Sequence, residues 1–176
     1  SAVKKLLNYA TVHAPAVMLA ASAAVLGTTF IMQHLAEIAP CRLCIAQRWP
    51  YVAVVILAGI ALVPAVPDSW RRASVALGAL AFAVGAGIAV YHTGVEQGWF
   101  VAPEACSGTG TGARTIEELR RALPEAPVVR CDEVPWTLFG FSMAGYNVAV
   151  SMLLAAFSAW AAVRWRASGH ERPTRD

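Results

Sequence analysis

Four cysteines are the residues of this chain whose type and spacing predict chemistry. Cys41 and Cys44 form a C-x-x-C motif, in which the first thiol can be attacked from outside and the second can resolve a mixed disulfide. Cys106 and Cys131 lie in a later polar segment. The pattern favours thiol–disulfide exchange between two pairs, provided that the fold brings both pairs to the same side of the protein.

The same four cysteines are also compatible with a metal site or with structural disulfides. A zinc site shares the C-x-x-C spacing but normally adds two further ligands at similarly tight spacing, which Cys106 and Cys131 do not offer, so we expect no metal. The second alternative is that the cysteines form permanent structural disulfides that cross-link the outer loops. A disulfide within C-x-x-C closes too short a loop to stabilise much, and a Gly-rich tract follows Cys106, so redox chemistry is favoured.

The elements that carry the cysteines are strongly apolar. Hydrophobic residues make up 57% of the 176 residues and charged residues 14%, whereas a soluble domain carries about 25% charged residues. Stretches near the roughly 20 apolar residues that a membrane helix needs run over about 14–32, 45–66, 74–92 and 140–163. We therefore expect an all-α four-helix membrane bundle, forming one integral membrane domain over 1–176. We expect the first stretch to be a span rather than a signal peptide.

The charges predict the orientation of the bundle. The two termini and the turn at 67–73 carry eight basic and three acidic residues, and the other two loops carry six basic and eight acidic residues. The excess of Lys and Arg places both termini in the cytoplasm and all four cysteines outside, where disulfides persist. The basic residues flank membrane segments without forming an aromatic-interleaved patch, so binding to nucleic acid is not expected.

The first outer loop, about 33–44, leads into the C-x-x-C motif. Pro40 is well placed to begin a helix, which would put Cys44 in its first turn. Arg48 follows Cys44 by four residues and so shares its helical face. A guanidinium and a helix N-terminus both favour a thiolate at Cys44.

Several polar residues near the outer membrane face have two possible roles. Arg48 either snorkels to lipid headgroups or hydrogen-bonds a carbonyl oxygen of a lipid-soluble quinone. His92 either lines the same pocket or is an interfacial side chain, and His34 is a weaker candidate. Asn147 is expected to form a helix–helix hydrogen bond.

The second outer loop, about 94–138, contains a candidate surface helix. Thr115 and Glu118 have capping-box spacing, and Ile116, Leu119 and Leu123 share one face. This helix lies either on the membrane or on the protein's own loops. An outer aromatic belt is predicted from four residues: Trp49, Trp99, Trp136 and Tyr51.

The order of these motifs along the chain resembles that of the disulfide bond formation protein B (DsbB) family. Members of that family are bacterial inner-membrane quinone reductases. The residues that carry the resemblance span nearly the whole chain: Gln33-His34, Pro40 to Ile45, Arg48, His92-Thr93, Cys106, and Cys131-Asp132 to Trp136 and Gly140. The resemblance implies a multi-pass protein of the bacterial inner membrane whose redox cysteines face the periplasm.

The resemblance also implies roles for the residues near the first pair. Cys41 and Cys44 match the redox pair that contacts quinone, either ubiquinone or menaquinone, and Cys44 matches the cysteine where a thiolate–quinone charge-transfer state forms. Arg48 matches the arginine that supports this state, and His92 matches a histidine near quinone. Gln47 departs from the family pattern, because many members carry Glu there.

For the second pair, the resemblance implies exchange with a soluble protein. Cys106 matches the cysteine that forms a mixed disulfide with a DsbA-like periplasmic thiol oxidase, and Cys131 matches its resolving partner, which can also exchange with Cys41. The segment 116–123 resembles the family's membrane-lying helix. Two alternatives stay open: a membrane scaffold with static disulfides, and a thiol oxidoreductase of the vitamin K epoxide reductase type, which normally carries its C-x-x-C late in the chain.

Overall fold

The computed structural model describes residues 9–103, 106, 115–117 and 129–168. Its helices and strands are α1 Ala14–His34, α2 Arg42–Ala46, α3 Arg48–Leu62, α4 Asp68–Glu96, β1 Thr137–Leu138, β2 Phe141–Ser142 and α5 Met143–Ser168. The two short strands pair antiparallel just before α5. The Gly-rich tract after Cys106 and most of the predicted surface helix at 116–123 lie outside the described residues.

Four helical segments are long and apolar enough to cross a membrane, which confirms the predicted all-α four-helix architecture. They are Ala14–His34, Arg42–Leu62, Asp68–Glu96 and Met143–Trp165, and α2 and α3 together make the second of them. α4 packs against α3 and α5, while α1 packs mainly against α3. α3 and α4 therefore each pack against two other spans, and α4 is the most buried of the four.

The connection between the second and third spans differs from the predicted turn at 67–73. α3 ends at Leu62, because two prolines follow within five residues, and α4 begins directly after Pro67. Arg71 lies in the first turn of α4 and donates hydrogen bonds to the carbonyls of Val63, Pro64 and Val66. This arginine therefore closes the turn as well as adding positive charge at this end of the bundle.

The fourth span also begins later than predicted. Phe139 and Gly140 both have positive φ, of 50° and 81°, and they form the turn between β1 and β2. α5 starts only at Met143, after the second strand. The Gly at position 140 suits this left-handed conformation, because it carries no Cβ.

The interior of the bundle is small and its apolar exterior is large. Tyr51, Val54, Val75 and Phe82 are fully buried where α3 and α4 meet. Large apolar side chains point outward from all four spans, including Ile56, Leu77, Leu80, Val84 and Leu153. Such a continuous apolar surface is expected of helices that face lipid.

Two of the four residues predicted to form an outer aromatic belt are exposed, as a belt requires, and two are not. Trp49 and Trp99 are exposed, with 68% and 75% of their surface accessible. Trp136 lines a cavity. Tyr51 is wrong as a belt residue, since it is 1% exposed and packs edge-on against Phe82.

Candidate functional site

The helices and outer loops form a partly open cavity of about 730 Å³ at the end of the bundle that carries the cysteines. Apolar side chains from α1, α5 and the second outer loop form most of its wall, including Val25, Met32, Pro135, Leu138 and Val150. Polar side chains gather on one side of it: Cys41, Cys44, Gln47, Arg48, His92 and Glu96. An apolar chamber with a few convergent polar groups is typical of a binding site for a small apolar molecule.

The C-x-x-C motif occupies the start of α2, as its sequence predicts. Cys41 is the N-cap residue, and its Sγ accepts a hydrogen bond from the Cys44 amide at 3.2 Å. Both cysteines are free thiols, and their Sγ atoms are 2.9 Å apart and share a hydrogen bond. The motif is therefore present as a reduced dithiol with its first sulfur at a helix N-terminus.

Several groups stabilise a negative charge on Cys41. The hydrogen bond with the Cys44 thiol, together with His92 and the Cys44 amide, lowers the pKa of the Cys41 thiol to about 4, against the opposing effect of burial. Cys41 is 5% exposed, so this thiolate would be shielded from bulk water. The sequence predicts a thiolate at Cys44 beside Arg48, whereas in this reduced pair the hydrogen bonds converge on Cys41.

His92 reaches the dithiol from α4. Its Nε2 lies 3.6 Å from Cys41 Sγ, and its Nδ1 lies 2.6 Å from the side-chain nitrogen of Gln47. Because Gln47 donates to Nδ1, Nε2 is the nitrogen left to carry a proton toward the sulfur. The Glu96 carboxylate is 3.8 Å from Nε2 and also accepts a hydrogen bond from Ser142.

Sequence reasoning did not predict the hydrogen-bond chain behind His92. Gln47 accepts from the Asn147 side chain, and Asn147 accepts in turn from the Tyr51 hydroxyl. Tyr51 also contacts Ser151 at 2.7 Å. The chain joins three spans, and Asn147 supplies the interhelical hydrogen bonds expected of it.

Glu96 is a further site residue that sequence reasoning missed. It follows His92 by four residues, so both side chains share a face of α4. This spacing is the feature of the sequence from which Glu96 could have been predicted to lie near His92. Its side chain is 4% exposed, which is unusual for a carboxylate.

Arg48 lines the cavity, but its side-chain hydrogen bond is to Gln33 and not to a cysteine sulfur. One terminal nitrogen donates to the Gln33 side chain at 2.8 Å, and the guanidinium lies 5.3 Å from the centre of the Phe30 ring. Its Nε is buried without a hydrogen-bond partner among the described residues. The Arg48 side chain as a whole lines the cavity.

His34, the weaker histidine candidate, is exposed and does not line the cavity.

Cys106 and Cys131 form a disulfide, with Cα atoms 5.4 Å apart. Both are buried, and they pack with Cys41 and Val95 into one cluster, which we call the cysteine cluster. The structure thus brings a disulfide from the second outer loop against the dithiol from the first. Two cysteine pairs in different redox states lie in one packed unit.

Comparison with known proteins assigns the family. The family model described as "Disulfide bond formation protein DsbB" matches residues 12–161. A disulfide bond formation protein B of Dechloromonas aromatica is 33% identical over 139 residues, covering 76% of this chain and 81% of the relative. One of Stutzerimonas stutzeri is 26% identical over 151 residues, covering 81% and 89%. An uncharacterized protein of Rickettsia prowazekii is 24% identical over 144 residues, covering 80% and 81%.

No solved structure matches the chain. The family match covers the first three spans, most of the fourth, and every cysteine of the chain. Together with the dithiol and the disulfide at one end of the bundle, it identifies a membrane oxidoreductase that acts in disulfide bond formation. The chain belongs to the DsbB family of disulfide bond formation proteins.

Proposed function

We propose that this protein reoxidises a periplasmic, thioredoxin-like dithiol oxidase of the DsbA type by passing its electrons through two cysteine pairs to a membrane quinone. The observation that carries the proposal is the cysteine cluster itself. A disulfide and a dithiol from separate loops are packed together beside an apolar cavity. Such a contact suits electron transfer by successive thiol–disulfide exchanges.

The exchanges balance without any further oxidant. A partner thiolate attacks Cys106 and Cys131 leaves; Cys131 then attacks Cys41, which releases Cys44. The second partner thiol frees Cys106 from the mixed disulfide, and the oxidised partner departs. Cys106 attacks Cys131, which restores their disulfide and leaves Cys41 and Cys44 as a dithiol. The described redox state, with one disulfide and two free thiols, corresponds to the end of this sequence.

The cavity fits a quinone in its chemistry. Its wall is mostly apolar, as a lipid-soluble ring and tail require, and Arg48 lines it with a guanidinium that can donate to a carbonyl oxygen. A bound quinone would supply a two-electron, two-proton acceptor. His92 can hold a proton at Nε2 between the dithiol and Glu96, and Arg48 can orient the acceptor beside Cys44.

The test uses purified protein in detergent, a reduced DsbA-like partner, and either a ubiquinone or a menaquinone analogue. We expect quinone reduction in step with partner oxidation, and almost none with Cys44→Ser or Cys106→Ser. Thiol trapping under mild reductant checks the scaffold alternative, because redox disulfides would cycle whereas static ones would stay closed. Normal turnover by Cys44→Ser would overturn the proposal.

We propose further that the cysteines face the periplasm of a bacterial inner membrane. Arg71 and His92 lie at opposite ends of α4, and 21 residues of helix between them span about 32 Å, close to the thickness of a hydrocarbon core of about 30 Å. The arginines of the 71–72 segment then lie on the cytoplasmic side. A membrane-impermeant maleimide added to intact spheroplasts should label the reduced pair Cys41 and Cys44, and labelling only after lysis would contradict this orientation.

A further inference from the structure

The dithiol and His92 form a group with the composition of a metal site. The Sγ atoms of Cys41 and Cys44 and one ring nitrogen of His92 all lie within 4.8 Å of one another. Cys41 and His92 are buried and Cys44 is half-buried. Two thiolates and one imidazole are ligands that zinc favours, and sites with three protein ligands keep a fourth position open.

The distances fit tetrahedral zinc with a small adjustment. Zn–S and Zn–N bonds of about 2.3 Å and 2.0–2.1 Å at a tetrahedral angle place S and N about 3.6 Å apart. Cys41 Sγ and His92 Nε2 are 3.6 Å apart. The same geometry places two sulfurs about 3.8 Å apart. The Sγ atoms of Cys41 and Cys44, now 2.9 Å apart, would separate by a side-chain rotation.

The surroundings can support the metal-bound form of His92. Metal at Nε2 requires a proton at Nδ1, and that proton requires an acceptor. Gln47 lies 2.6 Å from Nδ1, and rotation of its amide would present oxygen in place of nitrogen. The next group in the chain is the Asn147 amide, which can rotate in the same way. The fourth position is left to water or to the Glu96 carboxylate nearby.

The charge of the two thiolates also favours a divalent cation such as Zn²⁺ at this site. Two thiolates neutralise a divalent cation, so the complex carries no net charge in a buried site at the edge of the membrane. Binding releases the thiol proton of Cys44 to solvent, while Cys41 binds as the thiolate that it already is. Oxidation of the pair removes two electrons, joins the sulfurs in a disulfide and eliminates both thiolate ligands, leaving His92 alone.

We propose that the reduced form of this protein binds one Zn²⁺ ion through Cys41, Cys44 and His92, and that oxidation of the dithiol releases it. Bound zinc occupies both thiolates and therefore blocks electron transfer from the dithiol. The inference requires only that Cys41 and Cys44 be reduced, so it does not depend on the identity of the electron acceptor.

The experiment uses the full chain carrying Cys106→Ser and Cys131→Ser, so that Cys41 and Cys44 are its only thiols. The protein is reduced, freed of reductant without oxygen, and titrated with Cd²⁺, whose thiolate complexes absorb in the ultraviolet. We expect saturation at one ion per chain, and competition by Zn²⁺ against a fluorescent chelator. Diamide, which oxidises the pair to a disulfide, should abolish binding.

Variants then test each ligand. Cys44→Ser should abolish the thiolate absorption, and His92→Ala should weaken Zn²⁺ binding by more than about 100-fold. His92→Cys, which supplies another thiolate, should restore binding and add absorption, and this rescue also shows that the position tolerates substitution. His34→Ala, an exposed histidine at the end of α1, is the matched control and should bind as the parent does.

Two outcomes would overturn the proposal. Equal Zn²⁺ affinity of the parent and His92→Ala would mean a simple dithiol complex, and equal affinity of the oxidised and reduced chains would mean adventitious binding. Turnover of the zinc-free wild-type protein with quinone and partner is measured separately. Normal turnover without zinc binding removes only this inference, whereas zinc binding without turnover removes only the proposed electron path.

Discussion

The Sγ atom of Cys41 lies 3.6 Å from Nε2 of His92, although 51 positions separate the two residues in the chain. The contact joins the first outer loop to the far end of α4. Gln47 holds the opposite ring nitrogen at 2.6 Å, so the ring orientation is fixed from both sides. A histidine fixed in this way can donate a proton to a thiolate, and its removal should change the chemistry of the sulfur.

Replacement of His92 should raise the pKa of Cys41. In the folded chain this pKa is about 4, below its ordinary value of 9.0, so the thiolate predominates above about pH 4 and protonates below it. Ionisation of Cys41 therefore stabilises the reduced fold. This contribution is complete above the ordinary pKa of 9.0 and is lost progressively as the pH falls to about 4. The groups that face Cys41 are Cys44 and His92, with Glu96 beyond them.

The measurement is the pH profile of Cys41 alkylation by iodoacetamide, read by mass spectrometry with a chelator present. The parent rate should stay nearly constant over about pH 6–8, because a thiolate is the reactive form throughout. His92→Leu should shift the profile to higher pH, and the exposed His34→Leu should leave it in place. Coincident profiles for the parent and His92→Leu would show that the ring does not stabilise the thiolate.

Arg48→Met should weaken quinone binding more than it slows turnover. The substitution keeps an apolar chain near Phe30 but removes the guanidinium of a residue that lines the cavity. A hydrogen bond from a charged group is worth about 1.5–3 kcal/mol, so we expect the KM for quinone to rise about 10- to 100-fold. Steady-state kinetics against a ubiquinone analogue give KM and kcat separately.

Arg42→Met is the matched control for the arginine, since Arg42 is exposed at the start of α2. Its KM for quinone should equal that of the parent. Gln33→Ala should have an intermediate effect, because Gln33 holds one terminal nitrogen of Arg48 in place at 2.8 Å. An unchanged KM for Arg48→Met would remove the arginine from the quinone site.

Asn147→Leu should destabilise the bundle. The substitution leaves the Gln47 carbonyl and the Tyr51 hydroxyl without their shared partner at the junction of three spans. Interhelical hydrogen bonds in membranes contribute roughly 0.6–1.7 kcal/mol, so we expect a loss of about 1–2 kcal/mol in the free energy of unfolding. Unfolding in mixed micelles, followed by circular dichroism, measures it. Asn147→Gln should recover part of this loss, and equal stability of parent and Asn147→Leu would contradict the prediction.

Gly85→Val should separate α4 from its neighbours. A Cβ at Gly85 would lie 3.3 Å from Pro50 and 3.6 Å from the Ser151 hydroxyl, so further methyl groups have no room between α3 and α5. Overpacking of this kind costs about 1–3 kcal/mol. Gly87→Val is the matched control on the same helix, since no atom lies within 4 Å of its added Cβ. Equal loss of stability in both variants would point to helix propensity rather than to packing.

Much of the architecture follows from local sequence. A membrane span is recognisable from the length of its own apolar stretch, so the sequence predicts all four spans. The largest shifts of their ends lie next to the prolines of the connection between α3 and α4. The start of a helix at the C-x-x-C motif was likewise predicted, because Pro40 and the N-cap position act within a few residues.

The amino-acid sequence was therefore enough to predict which segments are long and apolar enough to span a membrane, that a helix begins at the C-x-x-C motif, and that the four cysteines lie toward one end. Three contacts appear only in the folded bundle: His92 with the Cys41 sulfur, Gln47 with Asn147, and the buried Glu96 side chain with His92. The physical reason is that hydropathy and helical periodicity describe one helix at a time. Which side chains meet between helices depends on their rotation and separation, and these are set by packing across the whole bundle.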